Sequence, residues 1–344
     1  MYEVFPRLWA DRQNAQELRL KELGRKAGER LVRQVLGDTV GSDTVERLVK
    51  QADGNAFYLE ELIRAVAQGK DRTLPETVLA MVETRLARLP FDARRVLRAA
   101  SVFGELCWDG GAAMLLGGAT REAMVGEWLA RLVEQEVLVA RPGSRFPGER
   151  ELAFRHALLR EGAYATLTAD DERLLHRRAG EWLERHGEGD PMVLAGHFER
   201  GGNGERAATY YLRASEQAYH VLDADATMAR ANLGLACAPP PELRIALLGM
   251  RCEACGYRLD WVGSTMPDAE ELMRSAPPGS IHWTQGVVLH IQGTLISGRT
   301  PDLLATIGLL RDVDPAPEAL GKMALALLVS IFLLDSFGRV GEGT

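Results

Sequence analysis

A glycine–lysine pair stands at two places in the chain, and such a pair is one part of a phosphate-binding loop. The full loop has the pattern G-x-x-x-x-G-K-[ST], in which backbone N–H groups, the lysine and the hydroxyl surround the phosphates. Asp71 follows the pair at 69–70 and Met323 follows the pair at 321–322, so the hydroxyl is missing from both. No predicted strand leads into a G-x-G-x-x-G or ends in an acidic pair. The sequence therefore predicts that this chain hydrolyses no ATP and has no catalytic residues.

Cysteine and histidine are the other side chains that could do chemistry here. Cys252 and Cys255 form a C-x-x-C pair, but a zinc site needs four ligands and neither a second cysteine pair nor a histidine pair completes it. The pair also lacks the βαβ context of a thioredoxin-like redox site, and on a predicted helix we interpret it as two buried small residues. The histidines show no H-E-x-x-H spacing and no triad arrangement. The sequence predicts no metal site.

Two short segments carry the most informative residue types. Segment 54–62, GNAFYLEEL, opens with Gly54 and Asn55, and glycine frees the backbone at a helix start where bare N–H groups can face an anion. Segment 154–164, FRHALLREGAY, places His156 just after a predicted strand. Each has a plainer interpretation. The Gly54-Asn55 pair could be only a helix–helix turn, and His156 could be a hydrogen-bonded histidine beside the hairpin.

The elements that position these segments are predicted to be helical almost throughout. Apolar residues recur at three- and four-residue spacing in block after block, which indicates a mainly α fold. The β-branched run Val137–Ala140 breaks this pattern, a Pro- and Gly-rich loop follows, and Glu151–Phe154 can return as a second strand. Helices followed by one β-hairpin are typical of a winged helix-turn-helix.

From about residue 187 the sequence pattern changes and predicts short helices separated by turns that contain Gly and Pro. The segment 205–220 has the small and aromatic interior of a helical hairpin array, as in tetratricopeptide repeats. No clean repeat consensus fits residues 190–344, so the prediction is a degenerate TPR-like α-solenoid. The final turn at 337–341 lacks a polar capping helix, and solenoids usually need one, so we expect the repeats to be truncated.

Composition narrows the class of protein. The chain has 344 residues, 46% of them hydrophobic, and a formal net charge of -7. Two or three domains and a real core are expected, and full disorder is excluded. The acidity argues against a dedicated nucleic-acid binder. The longest apolar run, Ala324–Leu334, is too short for a membrane span and predicts a buried helix. No signal peptide opens the chain, so we expect a cytoplasmic protein without membrane contact.

Five sequence motifs together resemble one family. They are GNAFYLEEL at 54–62, with Ala56 where many members have proline; the LPxTVxxxVxxRLxxL pattern at 74–89; RxVLRAASVFG with a following tryptophan at 95–108; FRHALxREAAYxxL at 154–167, from which Gly162 departs; and LAxHFExGG at 194–202. In this order they are similar to the half that follows the P-loop core in signal-transduction ATPases with numerous domains, the STAND class. The most similar modules accompany bacterial serine/threonine protein kinases, adenylate cyclases and LuxR-type regulators. The resemblance covers most of residues 1–220.

This resemblance implies an organisation and a set of site residues. Residues 1–72 would be a remnant of the ATPase core and a helical lid, 73–186 a winged-helix domain and the following helix, and 187–344 the TPR-like repeats. The P-loop and Walker B strand would lie upstream of Met1, so the chain would need no cofactor itself, while ATP and ADP belong to the family. Gly54 and Asn55 would approach the nucleotide, and His156 would sense the ADP phosphate.

The partners follow from the same resemblance. They would be the upstream P-loop core, an effector domain such as a serine/threonine protein kinase, and proteins bound through 187–344. A second hypothesis is a DNA-binding transcriptional regulator that uses the winged helix at about 92–167. A third is a protein-binding scaffold without a nucleotide role. Five arginines at 155, 160, 173, 177 and 178 look basic, but acidic residues interleave with them, so we predict a solvated mixed face.

Overall fold

The chain is mainly helical, as its apolar periodicity predicts. A computed structural model describes residues 22–37, 40–67, 77–258, 265–311 and 313–336. Three short strands lie among the helices of the first half: β1 (Leu106–Trp108), β2 (Leu138–Ala140) and β3 (Glu151–Phe154). The helices in these ranges are α1 (Arg25–Leu36), α2 (Ser42–Ala52), α3 (Ala56–Ala67), α4 (Val78–Ala87), α5 (Phe91–Val102), α6 (Asp109–Leu116), α7 (Glu122–Glu134), α8 (Ala157–Tyr164), α9 (Ala169–Arg185), α10 (Pro191–Arg200), α11 (Gly204–His220), α12 (Ala224–Ala236), α13 (Pro241–Arg258), α14 (Thr265–Ser275), α15 (Ile281–Ile296), α16 (Thr300–Gly308) and α17 (Leu320–Ser336).

Helices α1, α2 and α3 pack around a core of their own. Their buried apolar residues recur one helical turn apart, which is the pattern of an amphipathic helix with one buried face. The members include Val32, Val45, Leu48, Leu59 and Leu62, and Met81 of α4 completes the cluster. The chain segment that links α3 to α4 lies outside the described residues.

A three-stranded antiparallel sheet lies next to α5–α8, with the strand order β1-β3-β2. The central strand β3 pairs Leu152 with Cys107 on one side, and Ala153 with Val139 on the other. The hairpin predicted from the β-branched run is confirmed as β2 and β3. Strand β1 was not predicted, because three residues between two helices show no alternating pattern that exceeds the helical one.

One continuous core joins the sheet to the helices that follow it. Trp108 of β1 and Phe146 of the hairpin loop pack with Trp182 of α9. The same cluster includes Leu194 and Phe198 of α10. Apolar packing is thus unbroken across residue 187, where the sequence analysis places a domain boundary.

Several arginines expected on a solvated mixed face have a different role. Three of the five donate hydrogen bonds to backbone carbonyl oxygens at the C-terminal ends of helices: Arg160 to Ser101, Arg177 to Gly201 and Arg178 to Leu115. The last carbonyl groups of a helix lack partners within the helix, and cations there also interact favourably with the helix dipole. Arg177 is exposed, and Arg160 and Arg178 are half-buried. These three residues therefore also connect α5, α6 and α10 to neighbouring helices, a role that the predicted mixed face does not include.

Helices α10 to α17 form an array of packed helices. Each of α10 to α15 packs against the next helix in the chain, and α11, α13, α15 and α17 also contact one another in succession. Side-chain caps begin several of these helices, for example Asp190 at α10, Asn203 at α11 and Ser280 at α15. The segment at 337–341, where the sequence indicates a truncated array, lies outside the described residues.

Helix α17 differs from its prediction. The stretch Pro317–Asp335 is long and apolar enough to cross a membrane by length and composition, with a mean hydropathy of 1.7, and only 33% of it is buried. The sequence predicts a buried helix at this position. One face of α17 is buried against α15, whereas the other face is exposed.

Candidate functional site

The turn at Gly54 and Asn55 joins α2 to α3 and has a defined geometry. Asp53 and Gly54 both adopt left-handed backbone conformations, with φ of 45° and 79°. A Cβ on Gly54 would lie 2.9 Å from Cβ of Glu22, so glycine is required both for the backbone conformation and for the space. The carbonyl oxygen of Gly54 accepts a hydrogen bond of 2.8 Å from the N–H of Leu23.

Asn55 caps the helix that it precedes. Its side-chain oxygen accepts a 3.0 Å hydrogen bond from the backbone N–H of Tyr58. One of the N–H groups that the sequence analysis expects to be bare is therefore already satisfied within the chain. The turn is also the edge of a cleft of about 440 Å³ that is lined by both acidic and basic residues, among them Glu22, Glu46 and Lys50.

His156 lies between β3 and α8 and contacts the first turn of α3. Its ring packs against that of Phe57 with 4.1 Å between the centroids. Its Nε2 atom is 3.9 Å from Oε2 of Glu60, beyond hydrogen-bond distance, and this buried nitrogen has no hydrogen-bond partner. Burial lowers the pKa of His156, Glu60 opposes that shift, and Arg155 adds to it. The imidazole is therefore neutral near pH 7, with one ring nitrogen unused.

A group of alternating charges surrounds this contact, and we call it the junction network. It consists of Glu60, Glu61 and Arg64 of α3, Arg85 of α4, Glu136 after α7, and Arg155 after β3. Arg155 bridges Glu60 and Glu136 at 3.2 and 3.3 Å. Arg64 pairs with Glu60 and Glu136. Three guanidinium groups thus balance three carboxylates between the α1–α3 unit and the rest of the molecule.

The innermost pair of the junction network is Arg85 and Glu61. Glu61 is 5% exposed and accepts a hydrogen bond from Arg85. Arg85 also donates to the backbone oxygens of Gln135 and Glu136, at 3.0 and 3.3 Å. Burial lowers the pKa of Arg85, and the Glu61 carboxylate opposes that shift. Through Arg85, a buried carboxylate of α3 is tied to the turn that leads into β2.

The structure brings the predicted site residues to one helix end. Asn55 caps α3, and His156 contacts Phe57 in the first turn of the same helix. The sequence analysis misses the carboxylates and guanidinium groups of the junction network. The Glu60–Arg64 spacing of four residues is the one local signal, since such pairs face each other on a helix.

A second buried polar group connects α8, α9 and α10. The Tyr164 hydroxyl donates to Glu172 at 2.5 Å and lies 2.8 Å from Nε2 of His176. Nδ1 of His176 is 3.0 Å from Nδ1 of His197. Because the hydroxyl proton points to Glu172, His176 must donate through Nε2–H and accept at Nδ1 from Nδ1–H of His197. His176 is therefore neutral, and burial, which lowers the pKa of His197 to about 3, keeps that imidazole neutral as well.

The cysteines lie in apolar surroundings. Cys252 and Cys255 are buried in α13, as predicted, and burial raises the pKa of the Cys252 thiol. Burial likewise raises the pKa of Cys107 to about 12. The thiols of Cys107 and Cys252 are therefore protonated near pH 7 and are poor nucleophiles. In the described ranges no group of three or more His, Cys, Asp or Glu side chains could hold a metal ion.

Comparison with known proteins leaves the site without an assigned role. No protein-family model matches the sequence, and no curated protein matches it.

Proposed function

We propose that this chain is a regulatory part of a STAND-type ATPase and does no chemistry of its own. It would couple the nucleotide state of a P-loop core to an effector, such as a serine/threonine protein kinase, and to proteins that bind the helical array at 187–344. ATP and ADP would bind the core, and this chain would respond by reorientation of α1–α3. A cytoplasmic location is part of the proposal.

The observation that carries the proposal is the contact between α3 and the rest of the molecule. The α1–α3 unit has an apolar core of its own that reaches Met81 of α4, and Phe57 packs against the neighbouring core. Charged pairs of the junction network add contacts with α4 and with the residues that follow α7 and β3. Ion pairs can exchange partners and water as two units rotate, whereas a close-packed apolar interface resists sliding. His156 and Phe57 lie at the same contact, so a ligand at the end of α3 would act on it.

The order of elements in the middle of the chain supports a winged-helix interpretation. Three helices, α5 to α7, precede the β2–β3 hairpin, and β1 between α5 and α6 pairs with β3 to complete a small antiparallel sheet. In a winged helix-turn-helix the hairpin is the wing and the helix before it is the one that can recognise DNA. Helix α7 has that position.

The second half supports a repeat interpretation. Helices α10, α12, α14 and α16 begin at residues 191, 224, 265 and 300. The intervals are 33, 41 and 35 residues, so the first and the third are close to the ~34-residue period of tetratricopeptide repeats, whereas the second is longer. The stacking of alternate helices, α11 on α13 and α13 on α15, is what a solenoid requires. Such arrays bind proteins along their length, which fits an adaptor role.

The surface chemistry does not favour duplex DNA as the ligand of the winged helix. The exposed side of α7 has three glutamates, Glu122, Glu127 and Glu134, and its Arg131 pairs with Glu127 at 2.6 Å. The arginines of the hairpin loop are also engaged with carboxylates: Arg141 with Glu151, Arg145 with Glu188 and Arg150 with Asp109. Binding of a phosphate backbone depends on available positive charge, so these pairs would have to break.

The first test is the genomic DNA immediately upstream of the Met1 codon. An in-frame G-x-x-x-x-G-K-[ST] motif followed by an acidic strand would support the proposal. An upstream in-frame stop codon, with no such motif between it and the Met1 codon, would overturn the proposal.

The second test is calorimetry with ADP. We expect no binding to the chain alone and tight binding to the chain joined to its upstream core. His156→Ala in the joined protein should weaken ADP binding about tenfold, the effect of losing one hydrogen bond to a charged group. His220→Ala, at an exposed position on α11, is the matched control. Distances between spin labels on α1–α3 and on the rest of the joined protein measure the reorientation. If these distances do not change when nucleotide binds, the scaffold hypothesis is favoured.

Fluorescence anisotropy with labelled duplexes tests the DNA alternative. At physiological salt we expect no affinity tighter than about micromolar. A nanomolar and steeply salt-dependent affinity would instead support a transcriptional regulator.

A further inference from the structure

Helix α17 has two apolar faces, and one of them is uncovered. The inner face includes Met323, Ala326 and Leu333, which are buried in a cluster with residues of α15 and α16. The opposite side has large apolar residues that are 48–70% exposed: Leu325, Leu328, Ile331 and Phe332. With Gly321 and Ala324 they form a stripe at three- and four-residue spacing. We call these six residues the outer face of α17.

The outer face is large for an uncovered surface. A free side chain of this size exposes on the order of 150 Å², so the stripe and the flanking Leu320 and Leu327 together expose on the order of 500 Å². Elsewhere in the described ranges the exposed large apolar residues are scattered, with one or two in each element. Scattered residues are normal on a surface, whereas a contiguous patch of this size marks an interaction site.

The outer face contains no charge with which to select a charged partner. No charged residue lies between Lys322 and Asp335 in the sequence. The ammonium group of Lys322 is 2.5 Å from the Glu253 carboxylate and so is already paired. A partner must therefore present an uncharged apolar face of similar length.

The outer face is complementary in shape to itself. Its N-terminal end is small, at Gly321 and Ala324, and its C-terminal end is large, at Ile331 and Phe332. A Cβ on Gly321 would meet nothing within 4 Å, so there is open space above that end. If two α17 helices pack antiparallel about Leu328, Phe332 of each copy lies opposite Ala324 of the other.

We propose that the outer face of α17 binds a second copy of this chain, as an antiparallel helix pair with two-fold symmetry. An isologous contact uses the same patch twice and would bury on the order of 1,000 Å², the lower bound for a specific protein interface. This inference is independent of the proposed function, because it uses only the exposure, charge and shape of α17.

Sedimentation velocity of the full chain over a wide range of concentration tests the proposal. We expect a reversible dimer, and Leu328→Arg should raise its dissociation constant about a hundredfold, as for a central residue of an interface. Leu174→Arg, at an exposed leucine of α9, is the matched control and should leave the dimer intact. Circular dichroism should show unchanged helix content in both variants. A monomer at every concentration, or equal loss of the dimer in both variants, would overturn the proposal.

Oxidative cross-linking tests the direction of the pairing. Leu328→Cys should form an intermolecular disulfide, and Ala324→Cys should cross-link to Phe332→Cys in mixed samples but not to itself. Self-linking of Ala324→Cys would contradict the antiparallel arrangement.

Flotation with phosphatidylcholine and phosphatidylglycerol vesicles tests whether a membrane surface, instead of a second copy, covers the outer face of α17. A monomeric chain that binds these vesicles, and loses binding on Leu328→Arg, would replace the dimer with a membrane surface.

Discussion

Arg85 is the residue whose loss would weaken the junction network most. Its partner Glu61 is 5% exposed, and removal of Arg85 would leave a buried carboxylate with Arg64 at 3.8 Å as its nearest cation. We expect Arg85→Ala to lower the free energy of unfolding by about 3 kcal/mol, since breaking a buried pair costs more than the pair contributes. Urea unfolding followed by circular dichroism measures the loss.

The control for this prediction is an exposed ion pair of the same type. Arg131→Ala breaks the pair with Glu127, in which the side chains are 50% and 61% exposed. This change should cost less than about 1 kcal/mol. Equal losses from the two variants would show that Glu61 is solvated in the folded protein, contrary to its burial.

The buried pair His176 and His197 predicts loss of stability in acid. Burial lowers the pKa of both histidines, so in the folded protein they bind fewer protons than in the unfolded chain. Their contribution is complete above the ordinary histidine pKa of about 6.5 and is lost as the pH falls towards the lowered values. The free energy of unfolding should fall by about 1.4 kcal/mol per pH unit for each histidine.

Urea unfolding at a series of pH values from 7 to about 5 measures this slope. The double variant His176→Gln and His197→Gln should be less stable at pH 7 but should show a shallower pH dependence. His220→Gln, at an exposed position, should keep the parent slope. A parent protein whose stability does not change over this range contradicts the assignment of neutral buried imidazoles.

At the scale of elements, Gly162 sets the distance between α8 and α4. A Cβ at this position would lie 2.6 Å from Cγ1 of Val82 and 3.1 Å from Cδ1 of Leu86. Although alanine favours helices, Gly162→Ala should therefore destabilise the protein by about 1–3 kcal/mol, the usual cost of overpacking. Thermal unfolding measures this change.

Gly126 of α7 provides the matched control for this substitution. A Cβ there would meet nothing within 4 Å, so Gly126→Ala should stabilise the protein by about 0.5–1 kcal/mol through helix propensity alone. A stabilising Gly162→Ala would show that α4 moves away from α8 without cost. The motif that residues 154–167 resemble has alanine at the position of Gly162. A stabilising substitution would mean that this chain can accept the alanine of that motif.

The elements also show how far local patterns reach. The helices and the β2–β3 hairpin could be predicted, because period and turn residues act over a few neighbouring positions. Strand β1 could not be predicted, since its three residues become a strand only by pairing with β3, over forty positions away. The hydrogen bonds from Arg160, Arg177 and Arg178 to helix C-termini could not be predicted either, because each acceptor lies on a different helix from its arginine.

At the scale of the whole molecule, the shared core across residue 187 makes a prediction about folding units. A fragment of residues 77–186 would lack α10, whose Leu194 and Phe198 belong to the same buried cluster as Trp108, Phe146 and Trp182. We expect this fragment to unfold without a sharp transition, and a fragment of residues 77–220 to unfold cooperatively. Tryptophan fluorescence in urea distinguishes them. Cooperative unfolding of the shorter fragment at parent stability would make residue 187 a true domain boundary.

The sequence by itself determined the mainly helical class, the β2–β3 hairpin and the presence of further helices after residue 187. Each of these depends on neighbours in the chain. The sequence did not determine the length of these helices, since α11, α13 and α17 have 17 or 18 residues where short helices were predicted. Only the tertiary structure decided that Asn55 and His156 reach the same helix end, since the contact depends on how the residues after β3 pack against α3. It also decided which side of α17 is covered. A sequence that is apolar on every side of a helix predicts a buried helix. Its composition does not show which side other helices cover.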